Sequence, residues 1–302
     1  MKKYKVIFMI VVSLMLILSA CSNDKDEKGS NIKQSKSKNE LNLSSGDDIP
    51  TMDPSLAADQ VLQKINLKNT SDGKTWTIQL RDNAKWSNGD PVTAHDFVYA
   101  WQRSVDPDTA AEFAYMFENI ENAKEITQGD KKPEELGVKA IDDHTLQIKL
   151  IKDVPWMESL LAFGSYMPQN EKFVEKQGDK FGTTAKTTLS NGPYKLTEWK
   201  PEDKWKLEKN DEYWDKDKVK VKDVNVKVVK NTQTAINMYQ TGKLDMVGLD
   251  AQNIKKYKDR EDFSTEATSD NAKKDAEYFK EQIEQNLPGV TIKVKQQLIS
   301  KN

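Results

Sequence analysis

Three observations predict a mixed α/β protein. Short runs alternate apolar and polar residues, other runs space their apolar residues by a helical period, and Gly, Pro, Asn and Asp punctuate the intervals from Leu41 onward. Trp76, Ile78 and Leu80 alternate as a strand, and Asn88-Gly89-Asp90-Pro91 is a turn. Thr93, three residues before Asp96, forms a variant of the helix N-cap box, after which Phe97, Trp101 and Val105 line one helix face. An Asp142-Asp143-His144 turn leads into a strand carrying Leu146, Ile148 and Leu150, and Trp156 to Ala162 read as a short helix behind Pro155. Val224, Val226 and Val228 give a further strand, Thr232 to Tyr239 a helix closed by Gly242, and Leu244 to Leu249 another strand. Ala276, Phe279, Ile283 and Leu287 mark a helix stopped by Pro288-Gly289, with Val290, Ile292 and Val294 alternating behind it. No fixed-period repeat is visible.

The length of 302 residues suffices for one large or two ordinary domains, and 31% charged with 36% hydrophobic residues is a globular composition. The 46 basic and 48 acidic side chains are interspersed, so no nucleic-acid-binding patch is expected. Their distribution fits a solvated surface.

Cys21, the only cysteine, follows an apolar run. Lys2, Lys3 and Lys5 form a basic start, Val6 to Leu18 an apolar segment, and Ser19-Ala20 an exit with small side chains, as in a signal peptide over residues 1–20. As a helix, that apolar segment would span roughly 20 Å against a hydrocarbon core of about 30 Å, too little to cross comfortably. Residues 22–40 contain one aliphatic and no aromatic residue and cannot bury enough surface to fold, so residues 21–40, Cys21 included, are expected to be an N-terminal tether. Such a tether reaches at most ~60 Å when extended and on the order of 25 Å as a coil. Leu18-Ser19-Ala20-Cys21 resembles the bacterial lipobox, whose cysteine is diacylated; two acyl chains at about 0.8 kcal/mol per buried CH2 would hold the protein on a membrane. An ordinary secretory signal with an incidental cysteine is the alternative. With Cys21 lipidated, no disulfide is possible.

Catalytic chemistry has little to work with. His95 opens an amphipathic helix and His144 sits in an acidic turn, positions typical of surface or capping residues. The sequence has no His-x-Glu, Gly-x-Ser-x-Gly, Walker-type glycine loop or Cys/His zinc spacing. No catalytic residue, metal ligand or cofactor site is assigned, and binding is favoured over catalysis. Seven Trp and nine Tyr supply flat, amphipathic surfaces. Trp76, Trp101, Trp199, Trp205 and Trp214 fit structural positions, whereas Tyr115, in Glu112-Phe113-Ala114-Tyr115-Met116-Phe117, could face a cleft.

One long stretch carries a specific resemblance: Asp72-Gly73-Lys74-Thr75-Trp76-Thr77-Ile78-Gln79-Leu80-Arg81-Asp82, then Lys85-Trp86-Ser87-Asn88-Gly89-Asp90-Pro91-Val92-Thr93-Ala94-His95-Asp96-Phe97. Tyr99-Ala100-Trp101-Gln102-Arg103, Asn191-Gly192-Pro193-Tyr194-Lys195-Leu196, Asn210-Asp211-Glu212-Tyr213-Trp214 and Tyr239-Gln240-Thr241-Gly242-Lys243-Leu244-Asp245 continue it. Together they resemble the large, family 5 extracellular solute-binding proteins of ABC peptide importers, in particular oligopeptide-binding lipoproteins of the OppA type from Gram-positive bacteria.

The resemblance implies a periplasmic-binding-protein-like α/β fold of class II, the large peptide-binding type, with its first lobe largely present and its second mostly missing. Residues 41–60 and 187–269 would form the base domain of that lobe, 61–186 an inserted domain, and 270–302 a remnant of the second lobe. The expected ligands are oligopeptides, contacted in the first lobe by Asp48, Thr51 and Tyr115, and the acid that the family uses for a peptide amino terminus has no counterpart here. The expected partners are an ABC permease, ATPase subunits and, through Cys21, the outer face of a cell membrane. A monomer without cofactors, and no enzyme, is expected. The alternative is a remnant of the family that serves as a surface interaction lipoprotein and transports nothing.

Overall fold

The structure, a computed structural model, describes residues 39–53, 66–70 and 72–264. The signal segment, Cys21 and most of the tether lie outside them, as do the helix and strand expected after Ala276. The strands are β1 (Glu40–Ser45), β2 (Asn66–Asn69), β3 (Thr75–Gln79), β4 (Val138–Asp142), β5 (Thr145–Lys149), β6 (Tyr194–Lys200), β7 (Lys204–Lys209) and β8 (Asp223–Val228). The helices are α1 (Ala94–Val105), α2 (Ala123–Thr127), α3 (Met157–Leu160), α4 (Glu171–Gln177), α5 (Thr232–Gln240) and α6 (Ala251–Tyr257), with several 3-10 turns between them.

Two four-stranded sheets result. The first has the order β1-β8-β7-β6 and the second β2-β3-β5-β4, so the first sheet is assembled from chain on both sides of the second. β1 and β8 run parallel, with Leu41 opposite Val224 and Leu43 opposite Val226. Such a pair needs a long crossover, and here the whole second sheet is spliced into it. β6 and β7 add an antiparallel hairpin whose register shifts between Leu196 and Glu198.

In the second sheet the period-2 pattern sets the face. Trp76 pairs with Ile148 and Ile78 with Leu146, all four buried, while Gln79 and Lys149 point to solvent. α1 lies against β4 and β5 and contributes Ala100, Trp101 and Val105 to the same core. Its start follows the expected box: the Asp96 carboxylate accepts the Thr93 N–H at 2.7 Å and the Trp86 indole N–H at 3.3 Å. Burial pushes the Asp96 carboxyl above the usual carboxylate range, against these hydrogen bonds. The folded chain therefore takes up this proton more readily than the unfolded one, and the Asp96 contribution to stability grows as pH falls toward 3.8.

The helix expected at Thr232–Tyr239 is α5, and Gly242, at φ +70°, closes it with Lys243 N–H donating to Met238 O at 2.8 Å. The strand expected at Leu244–Leu249 does not form. This segment meets the open edge of β1 at one residue: Asp245 N–H donates to Asn42 O at 2.8 Å, but the Asp245 carboxylate takes the Asn42 N–H at 2.6 Å. A side chain thus occupies the donor that a ladder would need.

Beyond α6, Asp262 accepts a fork from Arg260 and the Tyr239 hydroxyl at 2.9 Å, and the Arg260 hydrogen bonds hold its carboxyl down at about 2. Its stabilising contribution is complete above 3.8 and disappears as pH falls toward about 2, opposite in sign to that of Asp96. Asp262→Asn is therefore expected to shallow the acid limb of a pH–stability curve within that window, as followed by circular dichroism. An unchanged acid limb would show that the Arg260–Asp262 pair contributes nothing to folding.

Candidate functional site

In sheets with parallel strands, ligands gather outside the carboxyl ends, where the connections diverge. Here those ends are Ser45 of β1 and Val228 of β8, linked by the Val229 N–H donating to Ser45 O at 2.8 Å. The loop from Gly46 to Asp53 leaves this edge and carries two of the residues that sequence singles out, Asp48 and Thr51.

Asp48 is held in place by the first sheet. Its carboxylate accepts the Trp199 indole N–H at 3.2 Å and the Glu202 N–H at 2.8 Å across the β6–β7 hairpin, and the Ile49 N–H at 2.9 Å. Burial alone would raise its pKa, but the donors from Glu202, Ile49 and Trp199, with Lys230 nearby, bring it below the usual carboxylate value. Asp48 thus remains charged at neutral pH and presents a carboxylate already satisfied by three donors.

Thr51 lies where the loop turns toward the second sheet, and its hydroxyl oxygen accepts the Asp53 N–H at 3.1 Å. Tyr115 is elsewhere, on the 3-10 turn Ala114–Phe117, where it is 64% exposed and leans on Phe113 at 6.1 Å between ring centroids. That turn is fixed from below by the Tyr166 hydroxyl donating to Met116 O at 2.7 Å. The structure therefore joins Asp48 and Thr51 on one loop, and no hydrogen bond among the described residues ties Tyr115 to either.

Sequence reasoning missed the anchor of this loop. Asp53 is 1% exposed, and both of its oxygens accept from the Arg103 guanidinium, Nη1 to Oδ1 at 2.9 Å and Nη2 to Oδ2 at 2.7 Å. Arg103 Nη1 also donates to Gln169 Oε1 at 3.1 Å, and the guanidinium lies 5.7 Å from the Phe181 ring centroid. Beside this fork the Met52 N–H donates to Gly182 O at 3.0 Å. Charge-assisted bidentate pairs of this kind fix geometry as well as adding energy. The available signal in the sequence was Arg103 as the basic residue in the last turn of the helix.

The stretch that carries the family resemblance does similar work between the sheets. Arg81 sits 3.7 Å from the Trp214 ring centroid, and the Ser87 N–H donates to Ser190 O at 2.7 Å. A cavity of about 60 Å3 lies beside it, lined in part by Leu80, Arg81, Phe97, Tyr166 and Asn191; it has room for a few waters but not for a peptide. His95 and Asp143 approach to 3.6 Å, both exposed, and no nucleophile accompanies them among the hydrogen bonds of the described residues. Among the described residues no cluster of His, Cys, Asp or Glu could hold a metal ion.

The bacterial extracellular solute-binding proteins, family 5 (middle), match residues 51–269. The chain belongs to this family. It is 38% identical over 274 residues to the oligopeptide-binding protein OppA of Bacillus subtilis (strain 168), covering 82% of this chain and 50% of that protein. Among solved structures, it superposes on the substrate-binding domain of an oligopeptide ABC transporter from Bacillus anthracis str. Ames with a TM-score of 0.72 and 42% identity, covering 76% of this chain and 48% of that one. Listeria monocytogenes OppA bound to peptide gives the same TM-score and identity, covering 76% of this chain and 50% of the other. The chain spans about half the length of the relatives it matches. Its fold is the periplasmic-binding-protein-like α/β fold, present as a partial lobe, and the relatives named are oligopeptide-binding proteins or parts of oligopeptide ABC transporters.

Proposed function

We propose that this chain captures oligopeptides on the outer face of a cell membrane for an ABC importer, tethered there by lipid on Cys21. The observation that carries the reading is the overlap with Listeria monocytogenes OppA, a relative solved with peptide bound, at 42% identity over 76% of this chain. The Gly46–Asp53 loop supports it physically, because it combines a charged carboxylate, a hydroxyl and exposed backbone at the carboxyl edge of a parallel strand pair. Capture is non-covalent and needs no cofactor; ATP hydrolysis belongs to separate subunits. In this reading a second lobe closes over the peptide, so the first lobe by itself binds weakly and does not present the closed form to a permease.

Isothermal titration of the whole chain with short peptides of mixed sequence tests the reading. Saturable heat that free amino acids of the same composition do not produce supports it, and its absence up to millimolar peptide argues against capture.

The anchor has its own test. Cys21→Ser is expected to move the protein from the membrane fraction to the medium and to abolish metabolic labelling with palmitate. Unchanged membrane association would refute lipid anchoring.

A second reading, a surface interaction lipoprotein, draws on the exposure of Tyr115, Ile151 and Trp156, which are each more than half accessible. Membrane-anchored protein that responds to no peptide but is retained by neighbouring surface proteins would favour it.

A further inference from the structure

The Asp53 carboxylate is buried, and a buried carboxylate without a partner would be expensive. The fork from Arg103 satisfies both of its oxygens, and Arg103 is steadied in turn by Gln169, which is also buried and whose own N–H donates to Asp96 O at 3.1 Å. The hold thus runs from the N-terminal turn of α1 through Gln169 to Arg103 in its last turn, and from there into the loop. Asp53 passes it on, since its N–H donates to Thr51 Oγ1 at 3.1 Å.

That bond has a chemical consequence. A hydroxyl oxygen that accepts from a backbone N–H keeps its own proton to donate. No acceptor for the Thr51 proton is found among the described residues, and Thr51 lies on the loop that follows the carboxyl end of β1. An extended peptide carries a backbone carbonyl at every residue, an acceptor suited to such a donor whatever the side chains.

We propose that Thr51 donates its hydroxyl proton to a backbone carbonyl of the captured peptide, and that Arg103 and Gln169 are positioning residues that hold Thr51 in place through Asp53. The inference rests on the peptide-capture reading and adds to it a named contact and the side chains that set it. Gly182 completes the arrangement: its carbonyl accepts the Met52 N–H at 3.0 Å, and it packs directly against the Asp53 backbone.

The test uses the whole chain and four variants, with three readouts: unfolding midpoint, amide exchange at Met52 and Asp53, and peptide affinity. Thr51→Val is expected to weaken peptide binding about tenfold, and Thr51→Ser to restore it, since only the hydroxyl matters. The double variant Asp53→Leu/Arg103→Met replaces the ion pair by apolar groups of similar size, an exchange that commonly leaves stability intact. It is expected to keep one cooperative unfolding transition, with the midpoint lowered by no more than the loss of the Arg103–Gln169 hydrogen bond accounts for, to speed exchange at positions 52 and 53 about tenfold or more, and to weaken binding as much as Thr51→Val does. Adding Thr51→Val to it is expected to weaken binding no further, because both changes act through one contact. Where the double variant fails to fold, Arg103→Lys retains the charge but loses the fork and is read in the same way.

Unchanged exchange at Met52 and Asp53, or fully additive losses of affinity, would overturn the positioning role. Full affinity in Thr51→Val would overturn the contact. Faster exchange in the double variant, combined with no peptide binding by any form including the unaltered chain, would support the hold on the loop and overturn the peptide reading.

Discussion

Replacing Trp101 with alanine is expected to destabilise the fold by about 3–5 kcal/mol, the usual range for deleting a large buried aromatic. Trp101 is 1% exposed and stands at the centre of an aromatic cluster, with ring centroids 6.4 Å from Phe97, 6.1 Å from Phe117 and 5.2 Å from Tyr166. Its indole N–H donates to Tyr166 O at 3.0 Å, so truncation opens a cavity and also leaves a buried carbonyl unpaired. The damage extends to the candidate site's surroundings, because the Tyr166 hydroxyl holds the turn bearing Tyr115. Trp101→Phe retains most of the packing and loses the hydrogen bond, and is expected to lose about 1–2 kcal/mol. Urea unfolding of both variants, read as a shift in midpoint at constant slope, checks the ranking. A loss below about 1 kcal/mol for Trp101→Ala would mean that the cluster is not the centre of this core.

Gly182→Ala is the second large effect. Gly182 has φ +70°, where a residue with a Cβ carries about 1–2 kcal/mol of strain. The added methyl would lie 2.4 Å from Asp53 N and 2.9 Å from Met52 C, both backbone atoms that cannot swing aside. With overpacking at about 1–3 kcal/mol, the expected total is roughly 2–5 kcal/mol, or else the loop leaves its seat to relieve the clash. Gly89→Ala is the matched control: φ there is +91°, yet nothing lies within 4 Å of the added atom, so only backbone strain should appear. Comparable losses in the two variants would show that the loop does not pack against Gly182 as described.

The elements that were legible in the sequence are those whose buried face follows a simple period. Trp76 and Ile78, Leu146 and Ile148, and Val224 and Val226 alternate and are buried, and Thr93 to Val105 combine a box, a helical stripe and a clean stop. The β6–β7 hairpin escaped because its strands are only half buried, β7 has just Trp205 and Leu207 as apolar residues among charged ones, too short an alternation to stand out, and a register shift breaks the alternation of β6. Leu244 to Leu249 misled for the converse reason: the run is rich in apolar residues, but Asp245 caps the edge of β1 with its side chain instead of extending a ladder. β1 itself begins at Glu40, one residue inside the stretch whose composition reads as tether, because Glu40 pairs with Asp223 and accepts from Asn225.

The site was legible only in part. Asp48 and Thr51 could be chosen as loop residues, but nothing local indicates that Asp48 is held by Trp199 and Glu202, more than a hundred residues away. Asp53, which precedes a proline, reads as an ordinary turn acid; its partner Arg103 is fifty residues distant and on the other sheet's helix. A pairing of that kind is a property of the folded topology. No period or motif in one sequence encodes it.

The central claim is that this member of the family captures oligopeptides at the loop leaving β1. A photoreactive peptide, irradiated in the presence of the whole chain and mapped by mass spectrometry, tests both parts at once. The account predicts labelling within residues 46–53 that an excess of plain peptide abolishes. Labelling confined to other residues, or labelling that plain peptide does not displace, would contradict it.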